Sequence, residues 1–387
     1  MIKLRCGKLP QTPTSVQSCQ KDTQMLMVKK ITGIVQDLKS ISITLLITSL
    51  SGIFLDWLTA PAPYLLGSLA GVWILSSKNK ILNEALGIPR WFQIVIILGL
   101  GTLVGANFQP SSLELVSTWL PSVLSMFIAT IVATAIGLIY LTKLRKYEFN
   151  LALLSCIPGG QAEMILISRE FTEKDYVVAL FHLVRVTLVF CFVPIMLAFV
   201  QGVEAVRSSN INLAAMPSIL DVEIKTLFYF AAISILSLPI AKCVRLPMPH
   251  LLGPLAVSSI LHIMGIIAVP RINEFLILAQ MTIGGIIGAR LASVNFHEIA
   301  KYLKDAVFSA LLVVSAFALM ATLTAFILDV QFLGMLLAFI PGGFYEVTLL
   351  SLIFGFDVAF VAFHHSIRVV LVFLLLPLAV SKKHKHV

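Results

Sequence analysis

The sequence predicts an all-α polytopic membrane protein made of two homologous halves. Composition, unbroken apolar blocks and a motif repeated at fixed spacing carry that prediction. Of 387 residues, 58% are hydrophobic and 12% charged, against roughly 45–50% apolar and about 25% charged in soluble domains. Val307 to Leu328 and Thr118 to Thr142 contain no Asp, Glu, Lys or Arg, and each can cross about 30 Å of hydrocarbon as a helix. An outer-membrane barrel would show segments of about 10 residues alternating apolar and polar. The apolar content excludes intrinsic disorder.

Residues 1–40 form a basic tail, with Lys3, Arg5, Lys8, Lys21, Lys29, Lys30 and Lys39 among Ser, Thr and Gln. No apolar core or small-residue cleavage site follows the early charges, so the tail is expected to be cytoplasmic and not a cleaved signal peptide. A first membrane half covers 41–200, a polar linker 201–225, a second membrane half 226–381, and a basic cytoplasmic tail 382–387. Apolar segments in the first half fall near 40–58, 62–77, 91–108, 118–142, 149–168 and 176–200, and six corresponding ones are expected in the second.

The halves are recognised by comparison of motifs. Ile157-Pro158-Gly159-Gly160-Gln161-Ala162-Glu163, then His182, Arg185 and Pro194, faces Ile340-Pro341-Gly342-Gly343-Phe344-Tyr345-Glu346, then His365, Arg368 and Pro377. The offset is 183 throughout (340 − 157, 368 − 185). Upstream, Pro61 to Gly67 faces Pro247 to Gly253, and Gly105-Ala106 faces Gly288-Ala289.

Pro158-Gly159-Gly160 sits in the centre of the fifth segment. Proline removes a backbone donor and glycine permits non-helical angles, so the segment should break into two half-helices. Whether it spans or folds back can be argued from charge, because Lys and Arg collect in cytoplasmic loops. If the broken segment of each half enters and leaves on one side, the cytoplasmic loops hold Lys78, Lys80, Arg90, Lys143, Arg145, Lys146, Arg169, Lys174, Lys242, Arg245, Arg290, Lys301 and Lys304, and only Arg207, Lys225 and Arg271 lie outside. If all twelve segments span, that asymmetry vanishes. The expectation is five spans plus one broken re-entrant hairpin per half. An odd number of crossings inverts one half relative to the other, an arrangement found in secondary transporters with a site between discontinuous helices.

The duplicated I-P-G-G-x-x-E followed by H-x-x-R resembles the AbrB-type membrane family, also known as AbrB duplication and often labelled as ammonia monooxygenases. It is distinct from the soluble DNA-binding proteins that share the AbrB name. The resemblance covers about 41–381, and the label implies regulation of gene expression or oxygenase activity as alternatives to transport.

From the residues themselves, Glu163 and Glu346 stand in the first turn of a half-helix, where the positive dipole end favours a carboxylate. They read either as self-capping acids or as sites for a coupling proton or cation. The amides of Gly159, Gly160, Gly342 and Gly343 offer a cradle for an anion. His182 and Arg185 share one helix face, as do His365 and Arg368. Each arginine is expected to pair with the glutamate of its own half or to clamp a carboxylate or phosphate, and the histidines to relay protons or to be satisfied bundle residues. Gln161 faces Phe344, so only the first break keeps an amide side chain, and His364 has Phe181 opposite it.

The residues favour a secondary transporter or exporter of a small anionic solute coupled to H+ or Na+, working by rocking of one half against the other in the plasma membrane with both termini cytoplasmic. The alternatives are a membrane regulator or sensor and, less favoured, a monooxygenase, since no His pair at i, i+4 spacing lies in an apolar segment. The scattered cysteines, Cys6, Cys19, Cys156, Cys191 and Cys243, suggest no disulfide framework or metal site, and no cofactor is expected. The expected partners are a small molecule or ion and the lipid bilayer, with a homodimer left open. The net charge of +9 is assigned to cytoplasmic loops and not to nucleic acid, for which there is no soluble domain.

Overall fold

The computed structural model describes residues 13–78, 82, 85–159, 161–294 and 296–380, and over these the chain is helical apart from short connections. The helices are α1 (Pro13–Trp57), α2 (Pro63–Lys78), α3 (Arg90–Gly105), α4 (Pro110–Ile139), α5 (Phe149–Cys156), α6 (Gln161–Phe171), α7 (Asp175–Gln201), α8 (Val203–Ala214), α9 (Ile224–Cys243), α10 (Pro249–Ile263), α11 (Asn273–Ala292), α12 (Phe296–Leu328), α13 (Phe332–Phe339), α14 (Phe344–Phe354) and α15 (Val358–Ala379). Among the described residues, seven stretches are long and apolar enough to cross a membrane: Thr32–Trp57, Pro110–Leu144, Asp175–Gln201, Ile224–Cys243, Asn273–Ala292, Ala300–Leu328 and Val358–Ala379. The protein is a polytopic, all-α membrane protein. Helices α2, α3 and α10 are shorter; the 16 residues of α2 reach about 24 Å at 1.5 Å per residue.

Residues 13–40 of the N-terminal tail lie in the same helix as the first span. Helix α1 begins at Pro13, a residue favoured at the first helical position, and runs without interruption to Trp57. The linker holds α8, set off from α7 by Gly202 at φ +87°.

Both expected breaks are present. Helix α5 stops at Cys156, with Ile157 extended, and α6 starts at Gln161. Helix α13 stops at Phe339, and α14 starts at Phe344 after an extended Gly343 at φ −68°. The backbone leaves helical angles at the breaks as expected, with Gly343 extended at ψ 141°, and Gly159, Gly342 and Gly343 do so without positive φ. At Gly342 space adds a second reason for glycine. A Cβ on Gly342 would lie 2.8 Å from Val347 Cγ2 and 3.0 Å from Val189 Cγ1.

The first broken segment folds back. Helices α5 and α7 run parallel, since His182 meets Leu154 and Arg185 meets Cys156 and Ile157. Helix α6 lies between them in sequence and joins α7 through only three residues. Tyr147, before α5, and Tyr176, at the start of α7, both meet the ring of Tyr302, at 6.1 and 6.3 Å. The hairpin therefore leaves on the face where it entered.

Helices of the stretches 41–200 and 226–381 interleave. Helix α2 packs most extensively on α11, and α3 on α10. These crossings are close because small residues face backbone, the usual way for apolar helices to approach. A Cβ on Gly101 would stand 2.7 Å from the Leu251 carbonyl oxygen, and one on Gly105 2.5 Å from that of Leu255. Gly284 and Gly288 meet the carbonyl oxygens of Leu65 and Leu69 in the same way. Two helix groups result, α1–α3 with α9–α11, and α4–α7 with α12–α15. Helices α4 and α12 run antiparallel, with Ser125 bonded to Thr324 at one end and Arg145 to Asp305 at the other.

Candidate functional site

The repeated spacing of the two His-x-x-Arg pairs becomes two equivalent clamps on the helix breaks. Arg185 donates from Nη1 to the carbonyl oxygen of Cys156 at 2.8 Å and from Nη2 to that of Ile157 at 3.2 Å. Arg368 does the same to Phe339 at 2.8 Å and Ile340 at 3.2 Å. These carbonyls end α5 and α13 and lack the next helical donor, because the chain turns extended after them; Ile340 O also accepts from Gly342 N at 2.9 Å. Each guanidinium also donates to its histidine's Nδ1, at 3.1 Å in His182 and 2.8 Å in His365. Since Arg has no acceptor, Nδ1 must accept, and the proton sits on Nε2. Those Nε2 atoms donate to Leu154 O at 2.8 Å and Leu337 O at 2.9 Å. Both ring nitrogens of each histidine are thus engaged in a neutral tautomer.

All four residues are buried, Arg185 to 3% exposure and Arg368 to 4%. The two guanidinium groups are within Coulombic reach of each other. Arg368 also stands over the Phe317 ring, 5.8 Å from its centroid. Nε of Arg185 has no hydrogen-bond partner among the described residues.

The expected Arg–Glu bridge is not formed in the second clamp. Among the described residues the ion pairs are Arg145–Asp305 at 2.6 Å and Arg169–Asp175 at 3.1 Å. The carboxylate of Glu346 instead folds back over Gly343, where any Cβ would collide with it. A residue three positions into a helix reaches its own N-terminus more easily than a neighbouring helix, and the arginine is drawn to the orphan carbonyls. Gly160 and the side chains of Gln161 and Glu163 lie outside the described residues.

The second site carries added aromatic packing. Phe344 stacks on His365 at 5.6 Å, and His364 Nε2 lies 2.8 Å from Ser122 Oγ.

Sequence reasoning missed a cavity of about 790 Å³ between the two helix groups. One wall is α3, α10 and α11, and the other α6, α7 and α14, with Gly343 and Glu346 among its lining. Arg90, Arg169, Arg290 and His250 also line it. In the sequence these arginines serve only as topological markers, because their meeting depends on α3 and α11 running antiparallel. At the other end of those two helices, Arg271 donates through Nε to Asn107 Oδ1 at 3.2 Å and through Nη2 to the same oxygen. Also missed was Gln280, fully buried with neither amide atom bonded among the described residues. Among those residues no group of three or more His, Cys, Asp or Glu is placed to hold a metal ion.

A family model described as "Transition state regulatory protein AbrB" matches residues 79–382. The chain belongs to that family. The AbrB match takes in both clamps, the cavity arginines and both helix breaks. A relative, "Uncharacterized protein YhjN" of Bacillus subtilis (strain 168), is 23% identical over 373 residues, covering 92% of this chain and 91% of its own. Neither description names an enzymatic activity.

Proposed function

We propose that this AbrB family protein is a secondary transporter of a small anionic solute, coupled to H+ or Na+, in the plasma membrane with both termini cytoplasmic. The observation that carries the reading is the pair of broken hairpins, each clamped by a buried Arg-His pair, beside a cavity that separates two helix groups. Helix ends and glutamate at membrane depth are tolerated where a solute or water meets them.

Several features support an inverted arrangement. The clamp bonds recur at an offset of 183, the corresponding helices α3 and α11 run antiparallel, and so do α4 and α12. The cavity lies at the end holding Arg90, Arg169 and Arg290, which the charge count assigns to the cytoplasm. The Arg271–Asn107 bond closes the opposite end. In this reading the helix group carrying the hairpins moves against the glycine-packed group, exchanging the open end. Glu163 and Glu346 carry the coupling ion, and the Arg185 and Arg368 clamps keep the breaks in register.

The test is uptake or efflux by proteoliposomes containing the purified protein. Glu346→Gln should remove or uncouple transport while the protein stays inserted and folded. Unchanged transport and ion dependence would leave Glu346 as a cap only. A second reading, a membrane regulator, is favoured by the family's description; it requires a cytosolic partner surface, for which the N-terminal segment is the candidate.

A further inference from the structure

We propose that the cavity between the two helix groups binds an amphipathic organic anion, with its charged head at Arg90 and His250 and its apolar body against Ile94, Ile97 and Phe344. This deepens the transport reading, on which its physiological meaning rests, by naming the solute class.

The charge of the lining decides the sign. Among the described residues, three arginines line the cavity against one carboxylate, Glu346, which is turned onto its own helix start. Arg169 is occupied by Asp175 at 3.1 Å. Arg90 takes no part in the ion pairs among the described residues, and His250 feels both Arg90 and Lys242. His250 Nδ1 is buried with no partner among the described residues. An anionic head meets a cationic cluster there, with Arg90 offering a planar fork.

Size and wall chemistry decide the rest. The remaining lining is dominated by aliphatic and aromatic side chains, including Ile94, Ile97, Leu183 and Phe344. A sulfate or phosphate ion would occupy a small part of 790 Å³ and would lose hydration to walls that return no hydrogen bonds. The volume lies in the range of about 300–1,000 Å³ typical of sites for organic ligands.

The experiment is isothermal titration calorimetry of the purified full chain in a neutral detergent, with 2-naphthoate, the uncharged 2-naphthalenemethanol and sodium sulfate as probes. Naphthoate is expected to bind at least tenfold more tightly than either control. Arg90→Gln, at an exposed helix start, should weaken naphthoate at least tenfold. Ile94→Trp, which fills the apolar wall without changing charge, should weaken naphthoate and leave sulfate unaffected. The proposal is overturned if naphthoate does not bind, if sulfate matches it, or if both variants bind naphthoate within twofold of the parent. Naphthoate binding with no uptake by proteoliposomes would retire the transport reading and leave the site standing. Transport of sulfate without naphthoate binding would do the reverse.

Discussion

Arg368 holds Phe339 by a 2.8 Å bond from Nη1 to its carbonyl oxygen, and this contact, not a carboxylate, is what fixes the second helix break. Arg368→Gln removes the side-chain donors from two buried carbonyls; Ile340 keeps the Gly342 N–H at 2.9 Å, and Phe339 is left without a donor. It is expected to lower stability by about 1–3 kcal/mol, the cost of one buried group left unsatisfied. Adding Glu346→Gln should not restore the loss, because no bridge joins the two side chains. Chemical denaturation of the two single variants and the double variant checks this. Recovery in the double variant would reinstate the ion pair.

The glycine crossings make a sharper prediction than the glycines of the breaks. Gly105→Ala places a methyl group 2.5 Å from the Leu255 carbonyl oxygen, with backbone on the far side. It should cost about 1–3 kcal/mol by overpacking. Gly334→Ala meets nothing within 4 Å and should be neutral or slightly stabilising, since alanine is the better helix former. Equal thermal shifts in the two variants would show that α3 and α10 are not so closely packed.

Gln280 is expected to be a stability liability kept for another reason. Gln280→Met exchanges a fully buried amide lacking protein partners for an apolar chain of similar length, and should raise stability by about 1 kcal/mol. A clear loss of melting temperature would show that the amide is paired in the folded protein.

Asp305 is 4% exposed and accepts from Tyr140 at 3.3 Å, Tyr147 at 3.0 Å and Arg145 at 2.6 Å. Burial, aided by Asp305, pushes the Tyr147 phenol above its ordinary range, so it remains a donor at neutral pH. Asp305→Asn should cost about 1–3 kcal/mol. Arg145→Gln should cost less than Asp305→Asn, because the arginine side chain is 47% exposed and solvent screens its charge. A larger loss for Arg145→Gln than for Asp305→Asn in denaturant melts would contradict this ordering.

The broken segments were legible because proline and paired glycines leave a local signature, and the clamps because His182 and Arg185 recur as His365 and Arg368 on one helix face. The partners of Arg185 and Arg368 were not legible. Orphan carbonyls belong to every residue type alike and have no mark in sequence, whereas a nearby glutamate is conspicuous. Interleaving was hidden for a similar reason: Gly101 and Gly105 announce a close approach but not that α10, some 150 positions later, supplies it. The cavity escaped notice because Arg90 and Arg290 come together only through the antiparallel crossing of α3 and α11.

The inverted arrangement is tested most directly by the sidedness of two positions that correspond at the offset of 183, Lys174 after the first hairpin and Asp357 after the second, both exposed. Single cysteines at Lys174→Cys and Asp357→Cys, in a background without other cysteines, would be probed with a membrane-impermeant maleimide in sealed vesicles of both orientations. Lys174→Cys should react only from the cytoplasmic side and Asp357→Cys only from the outside. Reaction of both from the same side would contradict inversion, and with it alternating access built on the two hairpins.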